Sequence, residues 1–318
     1  MTKISVILTV YNKEKFLCRA LDALLEQNDV CENDYEIIVV NDGSTDGSAI
    51  ILDEYSKKDN RVRVVTQNNQ GLSMARNNGM AASESDYIWF IDADDEVAKN
   101  AIHLIRGAID QQPDIIPIWA KYEGDNQIIN AVSPLAKTGK DVLIGGQWNH
   151  GGVFYVFRRD FLIENNLKFY PDIYHEDSEF TPRMLYLAKT VVVIPEVLYF
   201  YYIDQESITH VPRPKRAYDC LIVAEHLDNF VHEHGEYKSR EGRSILLNAS
   251  FIINNALDII VQNDKRIQEE FERFFHKKYR TMINVLFRSS ITKYRLEAIL
   301  FLIFPKHCVW AYKLLKKI

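Results

Sequence analysis

Over its first hundred residues the chain alternates four short apolar runs with stretches of helical spacing, and no other feature limits its fold so much. Residues 4–10 (Ile-Ser-Val-Ile-Leu-Thr-Val), 35–40, 62–66 and 87–91 have strand length and few polar positions. Between the first two, Phe16, Leu17, Ala20, Leu21, Leu24 and Leu25 recur at helical spacing within residues 14–27. Residues 48–57 and 72–82 read as two further helices. Strands that are apolar on both faces, each followed by a helix, predict an α/β fold: a mostly parallel central sheet flanked by helices.

Open sheets of this kind take ligands at the carboxyl ends of their strands. The polar segments of this chain fall at those ends, at residues 9–12, 41–46, 66–71 and 92–95. Four polar loops on one rim are hard to explain by packing alone. Beyond residue 100 the pattern is mixed, with expected strands at 115–119, 153–157 and 191–202. From Pro214 to the end it is helical, and Pro212 and Pro214 predict a boundary there. The expected division is a domain over 1–213, itself in halves 1–100 and 101–213, and a helical C-terminal extension over 214–318.

Net charge is −6, but it is unevenly spread. Residues 265–318 carry thirteen Lys and Arg against four Asp and Glu, a balance of +9, so the remainder carries −15. An acidic body with a basic, apolar-rich tail fits attachment to an anionic surface; solvated lysines on exposed helices are the competing reading. After Pro305, Val309, Trp310, Leu314, Leu315 and Ile318 among Lys313, Lys316 and Lys317 give the pattern of a basic amphipathic helix at a membrane interface. A helix packed on the chain or on another subunit is the alternative. The four cysteines show no paired or metal-type spacing and read as free thiols. The first residues lack the pattern of a signal peptide, and the late apolar run at 298–304 is far too short to span a bilayer. The expected location is cytoplasmic, with peripheral contact on the inner face of the membrane.

Two acidic clusters carry the chemistry. Asp92-Ala93-Asp94 follows the fourth strand, where two carboxylates one residue apart reach a single site. Magnesium and manganese take oxygen ligands and bridge protein carboxylates to substrate phosphates. Acids after a strand also cap helices, so the pair alone does not decide. Glu176-Asp177-Ser178-Glu179 opens a helical pattern continued by Phe180, Met184, Leu185 and Leu187. There the helix dipole favours an ionised carboxylate, as a general base requires, and N-capping explains one of the acids. Asp42, before Gly43, could accept hydrogen bonds from a base or ribose, with an ordinary polar turn as the competing reading. No dinucleotide fingerprint, P-loop or nucleophile elbow is present. The acidic main domain argues against a nucleic-acid partner.

Residues 4–12, the Asn41-Asp42-Gly43-Ser44-Thr45-Asp46 loop, the run from Asn69-Gln70-Gly71 through Arg76-Asn77, and Asp92-Ala93-Asp94-Asp95 occur in an order that resembles the family 2 glycosyltransferases of GT-A fold, of the bacterial surface-polysaccharide type. The match is dense over the first hundred residues and thinner at Glu176 to Glu179 and at Ser207-Ile208-Thr209. The resemblance implies an inverting transferase that moves a sugar from a nucleotide sugar, in most members a UDP-sugar, to a hydroxyl of a glycan or lipid-linked acceptor. It implies that Thr9, Tyr11, Asn12, Asp42, Gly71, Arg76 and Asp92 bind the nucleotide. Asp94 and Asp92 would hold Mn2+ or Mg2+, with His210 as a further ligand or an exposed loop histidine. Asp177 matches the catalytic base and Glu176 its orienting neighbour, with Glu179 on the acceptor side. Trp148, beside Gly151-Gly152, would stack on an acceptor sugar or pack as a rim tryptophan. Two other classes stand beside this one. A sugar nucleotidylyltransferase would want a Gly-rich basic loop after the first strand, which is missing. A non-catalytic nucleotide-sugar-binding or scaffold protein would not need both acidic clusters.

Overall fold

The computed structural model describes residues 3–202 and 213–316. The chain divides into two compact units, Met1–Asp172 with Met184–Gln205, and Ile173–Arg183 with Glu206–Ile318.

The first unit is built on one nine-stranded sheet. Strands β1 (Ile4–Val10), β2 (Tyr35–Asn41), β3 (Val62–Thr66) and β4 (Tyr87–Asp92) alternate with helices α1 (Glu14–Leu25), α2 (Ser48–Lys58) and α3 (Leu72–Ala82). All four strands run parallel in the order β3-β2-β1-β4. Every residue of β1 is buried, as a central strand covered on both faces requires. Helix α3 lies close on the sheet: a Cβ on Gly79 would come within 2.4 Å of the Ile7 side chain.

The second half of the sheet is mixed. It uses β5 (Glu96–Val97), β6 (Ile115–Tyr122), β7 (Ile128–Ile129), β8 (Tyr155–Arg158) and β9 (Ile194–Tyr201), with helices α4 (Ala101–Ile109), α5 (Gly139–Gly145) and α6 (Arg159–Glu164) between them. Strand β8 inserts antiparallel between β4 and β6, and β9 runs parallel to β6. The strand expected over 153–157 starts only at Tyr155, because Gly152–Phe154 form a 3-10 turn. The one expected over 191–202 is shorter too, and Val191 makes only an isolated bridge to Ile115.

Helix α7 (Glu176–Leu187) starts in the second unit, which is otherwise helical. Its members are α8 (Pro214–Glu233), α9 (Arg240–Val261), α10 (Lys265–Lys277), α11 (Tyr279–Arg288), α12 (Thr292–Ile303) and α13 (Cys308–Leu315). Helix α9 is the one helix among the described residues that is long and apolar enough to cross a bilayer, yet 56% of that stretch is buried inside the protein. Leu246, Ile253 and Leu257 of α9 and Leu221, Ala224 and Leu227 of α8 are fully buried, and the two helices pack together. That is the behaviour of a core helix.

Burial raises the carboxyls of several acids in this unit, Glu297 among them. Glu297 of α12 is fully buried and accepts a 2.7 Å hydrogen bond from Asn254 Nδ2 of α9. Burial pushes its carboxyl above the ordinary value of 4.5, against the opposing pulls of Asn254 and Lys293. Glu297 Oε1 and Asn254 Oδ1 are buried without a hydrogen-bond partner, and a proton on the carboxyl supplies a donor for such acceptors. A folded-state value above the unfolded one means that this contribution is complete below pH 4.5 and is lost as pH rises through the raised value. Glu297→Gln keeps the shape and fixes an N–H donor. It is expected to remove that loss, so the variant gains about 1–3 kcal/mol on wild type at alkaline pH and nothing at acid pH. Denaturant unfolding of both proteins across pH checks this; parallel pH profiles would reject it.

Candidate active site

The parallel register assembles the rim. Thr9 lies opposite Asp92 on one side, Val10 opposite Asn41 on the other, and Asn41 opposite Thr66. The four polar segments therefore leave the sheet at one edge, where the carboxyl ends of β1 to β4 meet. Of the nucleotide-site candidates, Thr9 is buried at the end of β1, and Tyr11 is 43% exposed, leaving its ring accessible. Asn12 sits at φ 53, and its side-chain oxygen accepts from Thr45 N at 2.8 Å, tying the β1 loop to the β2 loop.

Asp42 is buried, and its carboxylate accepts three hydrogen bonds. Oδ1 accepts from Gln67 Nε2 at 2.7 Å and Gln70 N at 2.8 Å, and Oδ2 accepts from Gly71 N at 2.9 Å. The acid expected to meet a base also holds the 67–71 loop against the end of β2. Gly71, at φ 83, turns that loop into α3. Gly43, at φ 71, lets the two loops touch, since a Cβ there would lie 2.8 Å from Asn69 N. Asp42→Ala leaves three donors without their acceptor and is expected to cost about 2–4 kcal/mol. A fall in thermal midpoint without any ligand is the readout, and an unchanged midpoint would return Asp42 to a purely ligand-facing role.

Arg76 of α3 is buried beside the rim. Its side chain is only 2% exposed; Nη2 donates to Asp92 Oδ1 at 3.2 Å, and the guanidinium lies 5.1 Å from the Phe169 ring centroid. It fixes Asp92, whose own side chain remains partly exposed. Asp94 is ion-paired with Lys13 of the loop before α1, and its carbonyl oxygen accepts from Arg19 of α1. Burial, then the charge of Asp92, raises the Asp94 carboxyl, while Lys13 pulls it down. Two carboxylates that repel each other at a rim are suited to a divalent cation. Among the described residues no three His, Cys, Asp or Glu side chains form a ready-made cage. The pair matches the one or two protein carboxylates with which magnesium or manganese is held beside phosphates. His210 lies outside the described residues.

Sequence reasoning missed Lys13, Arg19 and Asp95. Asp95 is buried and accepts from Tyr199 Oη at 2.5 Å and Tyr202 N at 2.8 Å. Burial, reinforced by Asp92, pushes its carboxyl up to about 8. It ties the 92–95 turn to the end of β9, and its place beside the aspartate pair was the only signal.

Glu176, Asp177 and Glu179 belong to the second unit, in the first turn of α7. His175, at φ 65, precedes the helix, and its carbonyl accepts from Ser178 N and Glu179 N. Asp177 is half-buried, whereas Glu179 is buried, with its two oxygens 2.8 and 2.7 Å from Arg183 Nε and Nη2. Burial alone would raise the Glu179 carboxyl, but the hydrogen bond from His226 and the charge of Arg183 outweigh it and hold it low. Glu179 thus anchors α7 internally. Trp148, in the first unit, is half-buried, donates to Leu143 O at 3.2 Å and meets the His150 ring edge-on at 4.9 Å.

Residues 5–183 match the family model described as "Glycosyl transferase family 2", a span that takes in both acidic clusters. The chain belongs to that family. The uncharacterized glycosyltransferase EpsJ of Bacillus subtilis is 34% identical over 66% of this chain and 63% of its own length, so the chain spans just under two thirds of that relative. The putative glycosyltransferase EpsH of the same organism is 30% identical over 79% of this chain and 76% of its own. Among solved structures, S. aureus TarS 1–349 in complex with UDP-GlcNAc superposes with a TM-score of 0.80, covering 99% of this chain and 91% of that one at 19% identity. At that identity the likeness establishes the fold, which is GT-A, with the C-terminal helices within the matched length.

Proposed function

We propose that this glycosyltransferase moves a sugar, with inversion, from a UDP-sugar to a hydroxyl of a glycan or lipid-linked acceptor in surface-polysaccharide synthesis. The observation that carries the proposal is the Asp92–Asp94 pair at the carboxyl rim of a parallel sheet, braced by Arg76 and countered by Lys13. The UDP-GlcNAc complex of TarS supports uridine as the base. Tyr11 offers its ring to that base, and the 67–71 loop held by Asp42 shapes the wall beside it.

Asp92 and Asp94 would hold Mn2+ or Mg2+. Such an ion, when bound, neutralises charge that builds on the diphosphate as it leaves. Asp177 takes the proton of the acceptor hydroxyl. The acceptor oxygen bonds to the anomeric carbon from the face opposite the diphosphate, the bond from that carbon to the diphosphate oxygen breaks, and the nucleoside diphosphate carries away the electron pair. Glu176 orients the acceptor, and Trp148 contributes to the acceptor side.

A thermal-shift series with UDP-, GDP- and TDP-sugars, each with and without manganese, tests the donor site. A ligand that binds only the folded chain raises its stability by about 2.7 kcal/mol at a hundred times its Kd. The expected result is a shift with uridine that requires manganese. No shift with any nucleotide would favour the non-catalytic scaffold reading.

A further inference from the structure

We infer that the outward face of α12, continued by α13, docks on an anionic lipid bilayer. Past its first turn, which exposes Lys293 and Arg295, helix α12 is apolar on both sides but for the buried Glu297. Tyr294, Ala298 and Phe301 pack inward, while Leu296, Ile299, Leu302 and Ile303 face out at helical spacing. Ile303 is 61% exposed, and Trp310 of α13, at 51%, meets the Phe304 ring edge-on at 4.9 Å. A helix apolar all round is normally buried all round. This one is covered on one side only, and the open side is a connected ridge rather than scattered single residues. The ridge centres on α12 and not on the last helix, where Val309 is buried in the core of the unit.

Charge selects the occupant. From residue 288 to the end there are seven Lys and Arg and a single acid, Glu297, which is fully buried. Lys293, Arg295 and Lys306 are exposed at the two ends of the ridge. The bordering acids are engaged: Asp258 pairs with Lys316, and Glu272 accepts from Val309 N to cap α13. An apolar ridge carrying a tryptophan and flanked by cations fits the headgroup boundary of a membrane with anionic lipid, which attracts Lys and Arg near its surface. A second protein copy would bring an equally basic face to the same contact, and like charges would oppose it.

The test is co-sedimentation of the full chain with vesicles of phosphatidylcholine alone and with vesicles containing phosphatidylglycerol. The chain is expected to pellet with the anionic vesicles, less so as salt is raised. The double substitution Leu302→Gln with Ile303→Gln, on exposed positions, should lower vesicle affinity at least roughly tenfold while leaving the circular dichroism spectrum unchanged. Wild-type chain that stays in solution with both vesicles would overturn the inference. So would light scattering that shows a dimer which the same double substitution separates. Neither readout involves nucleotide or sugar transfer, so this inference stands or falls apart from the proposed reaction.

Discussion

Asp177→Asn is expected to lower the rate of sugar transfer by about 10²–10⁴-fold, the range a positioned general base contributes. The amide keeps the size of the side chain and its place in the first turn of α7 but cannot take a proton. The buried anchors of that turn are Glu179 and Phe180, with Arg183 closing on Glu179, and a thermal midpoint of the variant separates any loss of stability from loss of catalysis. Donor affinity should stay within a factor of about two, since the removed step is proton transfer and not ground-state binding. The split between turnover and affinity is the decisive readout. A variant with wild-type turnover would remove Asp177 from the reaction, and one that loses donor binding as well would make it a structural residue.

The second large effect is expected at the rim. Asp94→Ala should weaken donor binding in the presence of manganese by roughly ten- to a hundredfold or more, the loss that even an outer partner of a metal ligand causes. Without manganese the effect should be small or reversed. Asp94 is ion-paired with Lys13, and its removal takes a negative charge away from the place where the diphosphate would lie. Because burial and Asp92 raise the Asp94 carboxyl, protons compete with the cation, and manganese-dependent binding should strengthen as pH rises through the raised value. Calorimetric titration of nucleotide sugar into both proteins, with and without manganese, measures this. Unchanged metal dependence in the variant would place the cation elsewhere.

The first half of the fold was legible because its signal is local. Continuous apolar runs such as Ile4 to Val10, spaced by amphipathic helices, leave few alternatives to a parallel sheet, and the register then gathers the polar ends on one rim. The second half was less so, because which strand pairs with which is decided by distant partners. The insertion of β8 between β4 and β6 depends on contacts such as Trp89 with Val156 and Ile116 with Val156. The site divides in the same way. The Asp92–Asp94 pair is visible as a spacing. The engagement of Asp42 by the 67–71 loop, the burial of Arg76 beneath Asp92, and the bond between Tyr199 and Asp95 are contacts across 16 to 104 positions that no local pattern encodes. The buried donors that Asp42 and Glu179 meet were not visible, because an acid at a loop or helix start reads the same whether it meets solvent, substrate or a buried donor.

The most direct measurement is release of nucleoside diphosphate from a panel of nucleotide sugars by the purified chain, with manganese present or chelated. Slow release of UDP from one donor, requiring the cation and abolished in Asp94→Ala, is the result predicted here. Absence of release from every donor, with or without manganese, would contradict catalysis at this rim.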